Sequence, residues 1–378
     1  MIRISMLDLR REYEYMKADI DAAIKRCLDH QQWILGPEVA QLEGEVAQYL
    51  KAKHCVGVSS GTDALVLALR ALAIKLKQKE YFDRTDKIIT TPFTFTATGD
   101  AILRAGAIPV FVDIDPNTFN IDPQAIEKYL ETKPMGVVGI IPVHLYGQAC
   151  GMDEIMAIAK EYNLFVVEDV AQAFGGSYKG KKLGTIGDIG TYSFFPSKNL
   201  GGFGDGGMTA TNDSGLAEIV RMLTKHGGKD KYNVDHIGYN ARLDTLQAAI
   251  LLAKLKFIDE FNQKRKDIAK EYNRLLVDTP GIVLPKITDH HVFHQYTIRV
   301  LNNHRDTLQN YLKAKNIDSM IYYPISLHKM KVFDGLFKKY GDLHEAEKTA
   351  GQVLSLPIEP LLQHDEMSII CAAIKKDL

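Results

Sequence analysis

The sequence predicts an α/β fold in which helices cover a mostly parallel central sheet, followed by a smaller C-terminal α+β domain. Between residues 53 and 170, short apolar runs alternate with segments of helical periodicity. These runs lack apolar–polar alternation, which is typical of strands buried on both faces of a parallel sheet. After about residue 255 the pattern changes to one long charged helix followed by short mixed elements.

The predicted elements follow one another in a regular order. Two amphipathic helices, separated by Gly36 and Pro37, precede the first strand. Five buried strands with helices between them are predicted at residues 55–58, 87–90, 108–112, 137–143 and 164–167. A long helix, a half-exposed strand and a second helix are then predicted at residues 257–276, 294–300 and 305–314. Without a Pro- or Gly-rich linker to mark the boundary, we place the large domain at 1–255 and the small domain at 256–378.

Composition excludes several classes of protein. The 378 residues are 46% hydrophobic and 25% charged, close to the average of soluble globular proteins. The formal net charge of −1 lacks the basic excess of a nucleic-acid-binding protein. No apolar run reaches the roughly 18 residues of a membrane span, and the four cysteines form no CxxC pair. We therefore expect a cytoplasmic protein that binds neither nucleic acid nor membrane.

One predicted strand ends in two carboxylates, Glu168 and Asp169. In open α/β sheets, ligands bind beyond the carboxyl ends of the strands. A carboxylate on an apolar strand needs a partner there, and one candidate is the protonated ring nitrogen of a pyridine cofactor, which then acts as an electron sink. For Asp169 taken alone, a turn or helix-capping aspartate is the more common interpretation.

Lys198 lies between an aromatic run at residues 193–197 and a glycine-rich loop at residues 201–207. A lysine in a partly desolvated site has a lowered pKa and can form a Schiff base, and its flexible stem allows proton transfer. An ordinary surface lysine is the alternative. The loop contains a literal GxGxxG, but a strand pattern follows it, so we interpret it as a hairpin and not as a dinucleotide site.

Residues 59–63, Ser-Ser-Gly-Thr-Asp, connect the first predicted strand to the next helix. The unpaired N–H groups at such a helix start can bind phosphate, with Gly61 allowing close approach and Thr62 adding a hydroxyl. A plain N-cap is the alternative. Phe93 follows the second predicted strand and could stack on a planar cofactor, although a core phenylalanine is slightly favoured for that residue alone.

Taken in order, these features have the layout of a fold-type I pyridoxal-phosphate enzyme. The sequence resembles one family closely, the sugar aminotransferases of the DegT/DnrJ/EryC1/StrS group. The matching segments span most of the chain: residues 34–38 (ILGPE), 61–64 (GTDA), 113–115 (DID), 142–147 (PVHLYG), 168–172 (EDVAQ), 193–198 (SFFPSK), 204–207 (GDGG) and 238–244 (GYNARLD).

The resemblance implies a role for each matching residue. Lys198 would form the Schiff base with pyridoxal 5′-phosphate, and Asp169 would pair with its pyridine nitrogen. Gln172 would hydrogen-bond the ring hydroxyl, and Phe93 would stack on the ring. Gly61, Thr62 and Ser193 would hold the phosphate of the cofactor. Asn240 would reach the cofactor phosphate of the neighbouring subunit. Arg242 and Tyr323 would lie near the substrate.

The resemblance also implies a homodimer that transfers an amino group from L-glutamate to a nucleotide-linked keto sugar. The cofactor would alternate between pyridoxal phosphate and its aminated form, pyridoxamine phosphate. Similarity leans toward amination at C3 of a UDP- or dTDP-linked 3-keto sugar in O-antigen or other surface-polysaccharide synthesis. Amination at C4, a different pyridoxal-phosphate sugar enzyme and a non-catalytic regulator remain alternatives. Lys198 argues against the dehydratase branch, which has histidine at that position.

Two segments depart from the matching pattern, residues 75–87 and residues 322–328 (YYPISLH). The second keeps the Tyr-Pro and Leu-His elements of the family, but its first position is often another residue there, which leaves the sugar contacts open. Residues 75–87 are longer and more polar than the short turn expected before the second strand, and we interpret them as a surface insertion without effect on the chemistry. His290, His291 and His294 are clustered, but no cysteine or carboxylate accompanies them at a supporting spacing. A solvated loop is therefore favoured over a metal site, and we predict no metal.

Overall fold

The computed structural model describes residues 3–230 and 232–378. The α-helices of this part of the chain are α1 (Leu9–His30), α2 (Pro37–Leu50), α3 (Gly61–Lys77), α4 (Thr96–Arg104), α5 (Pro123–Glu131), α6 (Met152–Glu161), α7 (Ser214–Leu223), α8 (Thr245–Leu255), α9 (Ile258–Leu276), α10 (Arg305–Ala314), α11 (His344–Gln352) and α12 (His364–Asp377). The strands are β1 (His54–Val58), β2 (Lys87–Thr90), β3 (Ile108–Phe111), β4 (Val137–Ile141), β5 (Phe165–Asp169), β6 (Ser177–Tyr178), β7 (Lys181–Lys182), β8 (Ile189–Ser193), β9 (Gly207–Thr211), β10 (Ile282–Val283), β11 (Tyr296–Val300), β12 (Lys338–Lys339) and β13 (Val353–Leu356). Within the described residues, no helix is both long enough and apolar enough to cross a bilayer.

Eight strands form the central sheet in the order β1-β9-β8-β5-β4-β2-β3-β12. β9 runs antiparallel to both of its neighbours, and the other neighbouring pairs are parallel. Val167 packs in a core with α3 and α7, whereas Val166 packs in another core with α5 and α6. Because successive side chains of a strand point to opposite faces, helices cover both faces of the sheet. The predicted fold class is confirmed.

The five predicted buried strands are present as β1 to β5, with ends shifted by at most two residues. The prediction of a half-exposed strand near residue 294 is wrong. β11 begins at Tyr296, and four of its five residues are buried. The reason is that β11 is the middle strand of a separate three-stranded sheet, between β10 and β13, and packs against α9 and α12.

The domain boundary near residue 255 stays a prediction, and backbone pairings are among the contacts that cross it. Ile4 forms a backbone bridge with Ile317, which lies on the other side of the boundary. β12 adds a short strand to the edge of the central sheet beside β3. The two predicted parts of the chain are therefore joined by backbone pairing as well as by side-chain packing.

Two expectations about loops need correction. Residues 75–87 are not a simple surface insertion, because Phe82 and Asp86 are buried and Phe82 stacks on Phe165 of β5 with ring centroids 5.7 Å apart. The histidine loop is not solvated either, since His291 and His294 are buried. Each of these histidines has its own protein partner, the Phe293 N–H and the Asn199 side chain respectively.

Candidate active site

A cavity of about 430 Å³ opens at the carboxyl ends of β1, β2, β4, β5 and β8. The carboxyl ends of these strands lie at one edge of the sheet, which is where ligands bind in open α/β folds. The cavity brings together seven of the sequence-predicted site residues: Gly61, Thr62, Asp169, Gln172, Ser193, Lys198 and Tyr323.

Lys198 lies in the turn after β8, where its backbone N–H donates to the carbonyl of Phe195 at 2.8 Å. Surrounding protein atoms desolvate the amine and lower its pKa from 10.5 to about 8, and the negative charge of Asp169 opposes this shift. A larger fraction of the amine is therefore neutral near physiological pH than for an ordinary lysine. A neutral amine is the form that attacks an aldehyde.

Asp169 is the last residue of β5 and is buried. Its Oδ1 accepts the N–H of Ala171 at 3.1 Å, and its Oδ2 accepts the hydroxyl of Thr98 at 2.9 Å. Burial raises the pKa of the carboxyl, while these two hydrogen bonds and the charge of Lys198 act in the opposite direction. Each carboxylate oxygen can accept a further hydrogen bond, so the group can pair with a protonated ring nitrogen in the cavity.

Thr98 is a site residue that sequence reasoning missed. It lies in the first turn of α4, lines the cavity and is 1% exposed. A threonine on the buried face of a helix is usually interpreted as a packing residue, or as one that bonds its own helix. Only the distance between Thr98 and Asp169, which are far apart in sequence, reveals its role.

Gln172 is held in one orientation by two hydrogen bonds. Its Oε1 accepts the N–H of Tyr146 at 2.7 Å, and its Nε2 donates to the hydroxyl of Tyr323 at 2.8 Å. Because the carbonyl oxygen is engaged by a backbone donor, the amide nitrogen faces the cavity side. Its second N–H can donate to a ring hydroxyl, as the sequence predicts.

The N-terminus of the 17-residue helix α3 also lines the cavity, through Ser60, Gly61 and Thr62. Ser60 caps this helix by accepting the N–H of Asp63 at 3.1 Å, which leaves the first-turn N–H groups of Gly61 and Thr62 without helical partners. A Cβ at position 61 would lie 2.6 Å from the Cβ of Ser193. The absence of a side chain thus brings two hydroxyl groups and a helix N-terminus together, which fits a phosphate.

Phe93 is not brought to the cavity. Its ring is fully buried in a cluster that includes Leu145 and Tyr146. Phe95, two residues later, lies in the cavity wall and is 54% exposed. The motif contains two aromatic residues within three positions, and only the turn after β2 decides which ring faces the cavity.

Asn240 and Arg242 also lie outside the cavity of their own chain. Arg242 forms a backbone bridge with Val58, at the end of β1, and its guanidinium donates to the Oδ1 of Asn240. Asn240 is exposed. Both side chains are therefore available to another molecule and not to the cavity of the same chain.

The lining residues fit pyridoxal phosphate, because they offer donors for a phosphate, a buried carboxylate and a lysine of lowered pKa. Fold and cavity together define a fold-type I enzyme that depends on pyridoxal phosphate. Residues 14–375 match the model of the DegT/DnrJ/EryC1/StrS aminotransferase family. The chain belongs to this family.

Several characterised proteins are similar to the chain over nearly its whole length. The "pleiotropic regulatory protein" of Geobacillus stearothermophilus is 46% identical, over 99% of this chain and 98% of the relative. The UDP-2-acetamido-2-deoxy-3-oxo-D-glucuronate aminotransferase of Pseudomonas aeruginosa is 42% identical, over 98% of this chain and 99% of the relative. The crystal structure of DesV from S. venezuelae in complex with a ketimine intermediate is 38% identical, covers 100% and 98% of the two chains and superposes with a TM-score of 0.93.

Proposed function

We propose that this aminotransferase moves an amino group from L-glutamate to C3 of a UDP- or dTDP-linked 3-keto sugar. The observation that carries the proposal is one cavity that contains Lys198, Asp169 and the phosphate-type cradle, by which we mean Gly61 and Thr62 at the N-terminus of α3 together with Ser193. The sugar class rests on the similarity to the Pseudomonas aeruginosa enzyme, whose name specifies a 3-oxo sugar. The product would be a precursor of O-antigen or another surface polysaccharide, made in the cytoplasm.

The chemistry divides between the cofactor and the residues of the chain. When bound, pyridoxal phosphate supplies an electron sink for the electron pair left on carbon after proton removal. When neutral, the Nζ of Lys198 would take the proton from Cα of the amino donor and pass it to the bound cofactor. In the second half-reaction it would return a proton from the cofactor to C3 of the sugar. Asp169, oriented by Thr98 and Ala171, keeps a proton on the ring nitrogen and so preserves the sink.

The other cavity residues would bind and orient the cofactor. Gly61, Thr62 and Ser193 would hold the phosphate, and Gln172 would donate to the ring hydroxyl. Phe95 is better placed than Phe93 to stack on the cofactor ring, because the ring of Phe95 lies in the cavity wall. A stacked ring and a hydrogen bond to the ring hydroxyl would fix the plane of the cofactor, which decides which substrate bond can break.

We propose a homodimer with the second subunit placed over the mouth of this cavity. Phe95 and Phe195, both in the cavity wall, are 54% and 52% exposed, which is unusual for aromatic rings on a monomer surface. The exposed Asn240 and its partner Arg242 would then reach the cavity of the neighbouring subunit. Size-exclusion chromatography with light scattering tests this arrangement, and a monomer at micromolar concentration would exclude it.

The absorbance of the purified protein tests the reaction. It should be yellow, should lose this absorbance when L-glutamate is added, and should regain it with one member of a panel of nucleotide 3-keto and 4-keto sugars. Lys198→Ala should fold but show neither change. Recovery with a 4-keto sugar alone would move the reaction to C4.

A regulator without catalysis is the second candidate, and the 46% identity to a protein named as a pleiotropic regulator favours it. The presence of Lys198, Asp169, Gln172 and Ser193 in one cavity argues for catalysis instead. A colourless protein, or a yellow protein whose absorbance L-glutamate does not change, would support the regulator or another pyridoxal-phosphate chemistry.

A further inference from the structure

We propose that residues 78–86, here called the brace, hold residues 224–230 and 232–242, here called the lobe, in the position that nucleotide-sugar binding requires. This inference rests on the proposed function and on the proposed homodimer. It assigns a positioning role to a segment that the sequence suggested was only a surface insertion.

A single buried cation joins the brace to the lobe. Arg70 of α3 is fully buried, and its guanidinium donates to the Oε2 of Glu80 in the brace at 2.9 Å. The same group donates to the hydroxyl of Tyr239 and to the carbonyl of Ile237 in the lobe, both at 2.9 Å. It also lies 3.7 Å from the ring centroid of Tyr81 in the brace. A buried charge is costly unless it is paired, so these contacts depend on one another.

Glu80 also contacts the lobe directly. Its Oε1 is 2.7 Å from the Nδ1 of His236, and its Oε2 accepts the N–H of Ile237 at 3.2 Å. One carboxylate thus engages a buried arginine and two neighbouring lobe residues. The brace itself is anchored by Phe82, which is buried against the sheet. The position of this part of the lobe is therefore tied to the central sheet through Glu80.

Backbone hydrogen bonds also attach the lobe to its surroundings. The N–H of Tyr239 donates to the carbonyl of Leu223 in α7 at 2.8 Å, and the N–H of Ser59 donates to the carbonyl of Ala241 at 3.1 Å. Within the lobe, the N–H of His226 donates to the carbonyl of Tyr239 at 2.9 Å. Between these points the lobe exposes apolar side chains, including Val234 at 58% and Ile237 at 60%. Loss of Glu80 would remove the carboxylate that pairs with buried Arg70. The contacts of Arg70 with Ile237 and Tyr239, which closely precede Asn240 in the chain, would therefore weaken as well.

The C-terminal end of the lobe, at Asn240 and Arg242, carries groups that would bind an anionic substrate. Arg242 is paired with Val58 just before the phosphate-type cradle, and its guanidinium contacts Asn240. The guanidinium of Arg242 is suited to the diphosphate of a nucleotide sugar, because it offers several N–H donors. Glutamate lacks that diphosphate, so displacement of the lobe should affect the nucleotide sugar more than glutamate.

The test compares the two half-reactions of the holoenzyme. Glu80→Ala should raise KM for the nucleotide sugar by about tenfold, the loss expected for a charge-assisted contact, while the rate with glutamate stays within about twofold. Glu80→Gln, which keeps the shape and one acceptor, should recover part of this loss. Asp83→Ala is the matched control, because the hydrogen-bond partners of Asp83, which are Lys79, Thr85 and Asp86, all lie in the brace and none lies in the lobe.

The outcomes separate this inference from the proposed function. The positioning role of the brace would be overturned by any of three results: an unchanged KM for the nucleotide sugar, an equal loss in both half-reactions, or the same effect from Asp83→Ala. If Glu80→Ala fails to fold, as judged by its melting temperature, His236→Ala replaces it with the same expected split. Wild-type protein that does not react with glutamate would refute the proposed function instead, before any variant is compared.

Discussion

Thr98→Val removes one hydroxyl from the cavity and leaves nearly the same volume. In the structure this hydroxyl donates to the Oδ2 of Asp169 at 2.9 Å, in a buried setting. A hydrogen bond to a charged group contributes about 1.5–3 kcal/mol, and each 1.36 kcal/mol is a factor of ten in rate. Without the donor, the negative charge on Asp169 is less favoured, so the ring nitrogen holds its proton less well. Both half-reactions should therefore slow by roughly 10- to 100-fold.

The assay is single-turnover absorbance, first with glutamate and then with the keto sugar. Thr98→Ser is the control, because it keeps the hydroxyl and should react within a few-fold of the wild type. The melting temperature of both variants shows whether the fold is retained. A Val variant that reacts at the wild-type rate, or a Ser variant as slow as Val, would refute the role given to this hydrogen bond.

Three further predictions concern the cofactor site. Protein freed of cofactor should take up pyridoxal phosphate faster as pH rises, because only the neutral amine of Lys198 attacks the aldehyde. The midpoint of this rate should lie near the Lys198 pKa of about 8. A midpoint near the ordinary lysine pKa of 10.5 would contradict the desolvated site. Gly61→Ala should weaken cofactor binding in equilibrium dialysis, since its Cβ would lie 2.6 Å from that of Ser193, and unchanged affinity would argue against the cradle. Phe95→Leu should lower cofactor affinity with little change in melting temperature, whereas Phe93→Leu should mainly lower the free energy of unfolding, by about 1 kcal/mol; the reverse result would return the stacking role to Phe93.

Some of the predicted residues that line the cavity lie at or just after the ends of strands. Gly61, Asp169 and Ser193 each lie next to an apolar run, and the topology of a parallel sheet brings such positions to one edge. Phe93 was predicted for the cavity on the same argument, but it is buried elsewhere, because proximity to a strand end does not specify which way a side chain points. The segment at residues 75–87 could not be interpreted from its composition, because the partners of Glu80 come from distant parts of the chain.

By itself, the sequence determined the five strands β1 to β5 with the helices between them, the fold class and the family, because these depend on local periodicity and on motifs that are continuous along the chain. Tertiary structure alone decided that Thr98 holds Asp169, that Phe95 rather than Phe93 faces the cavity, and that Arg70 ties the brace to the lobe. Each of these depends on the distance and orientation between side chains that lie far apart in sequence or on opposite sides of a turn. Such relations are fixed by packing and hydrogen bonding in three dimensions, which no local pattern encodes.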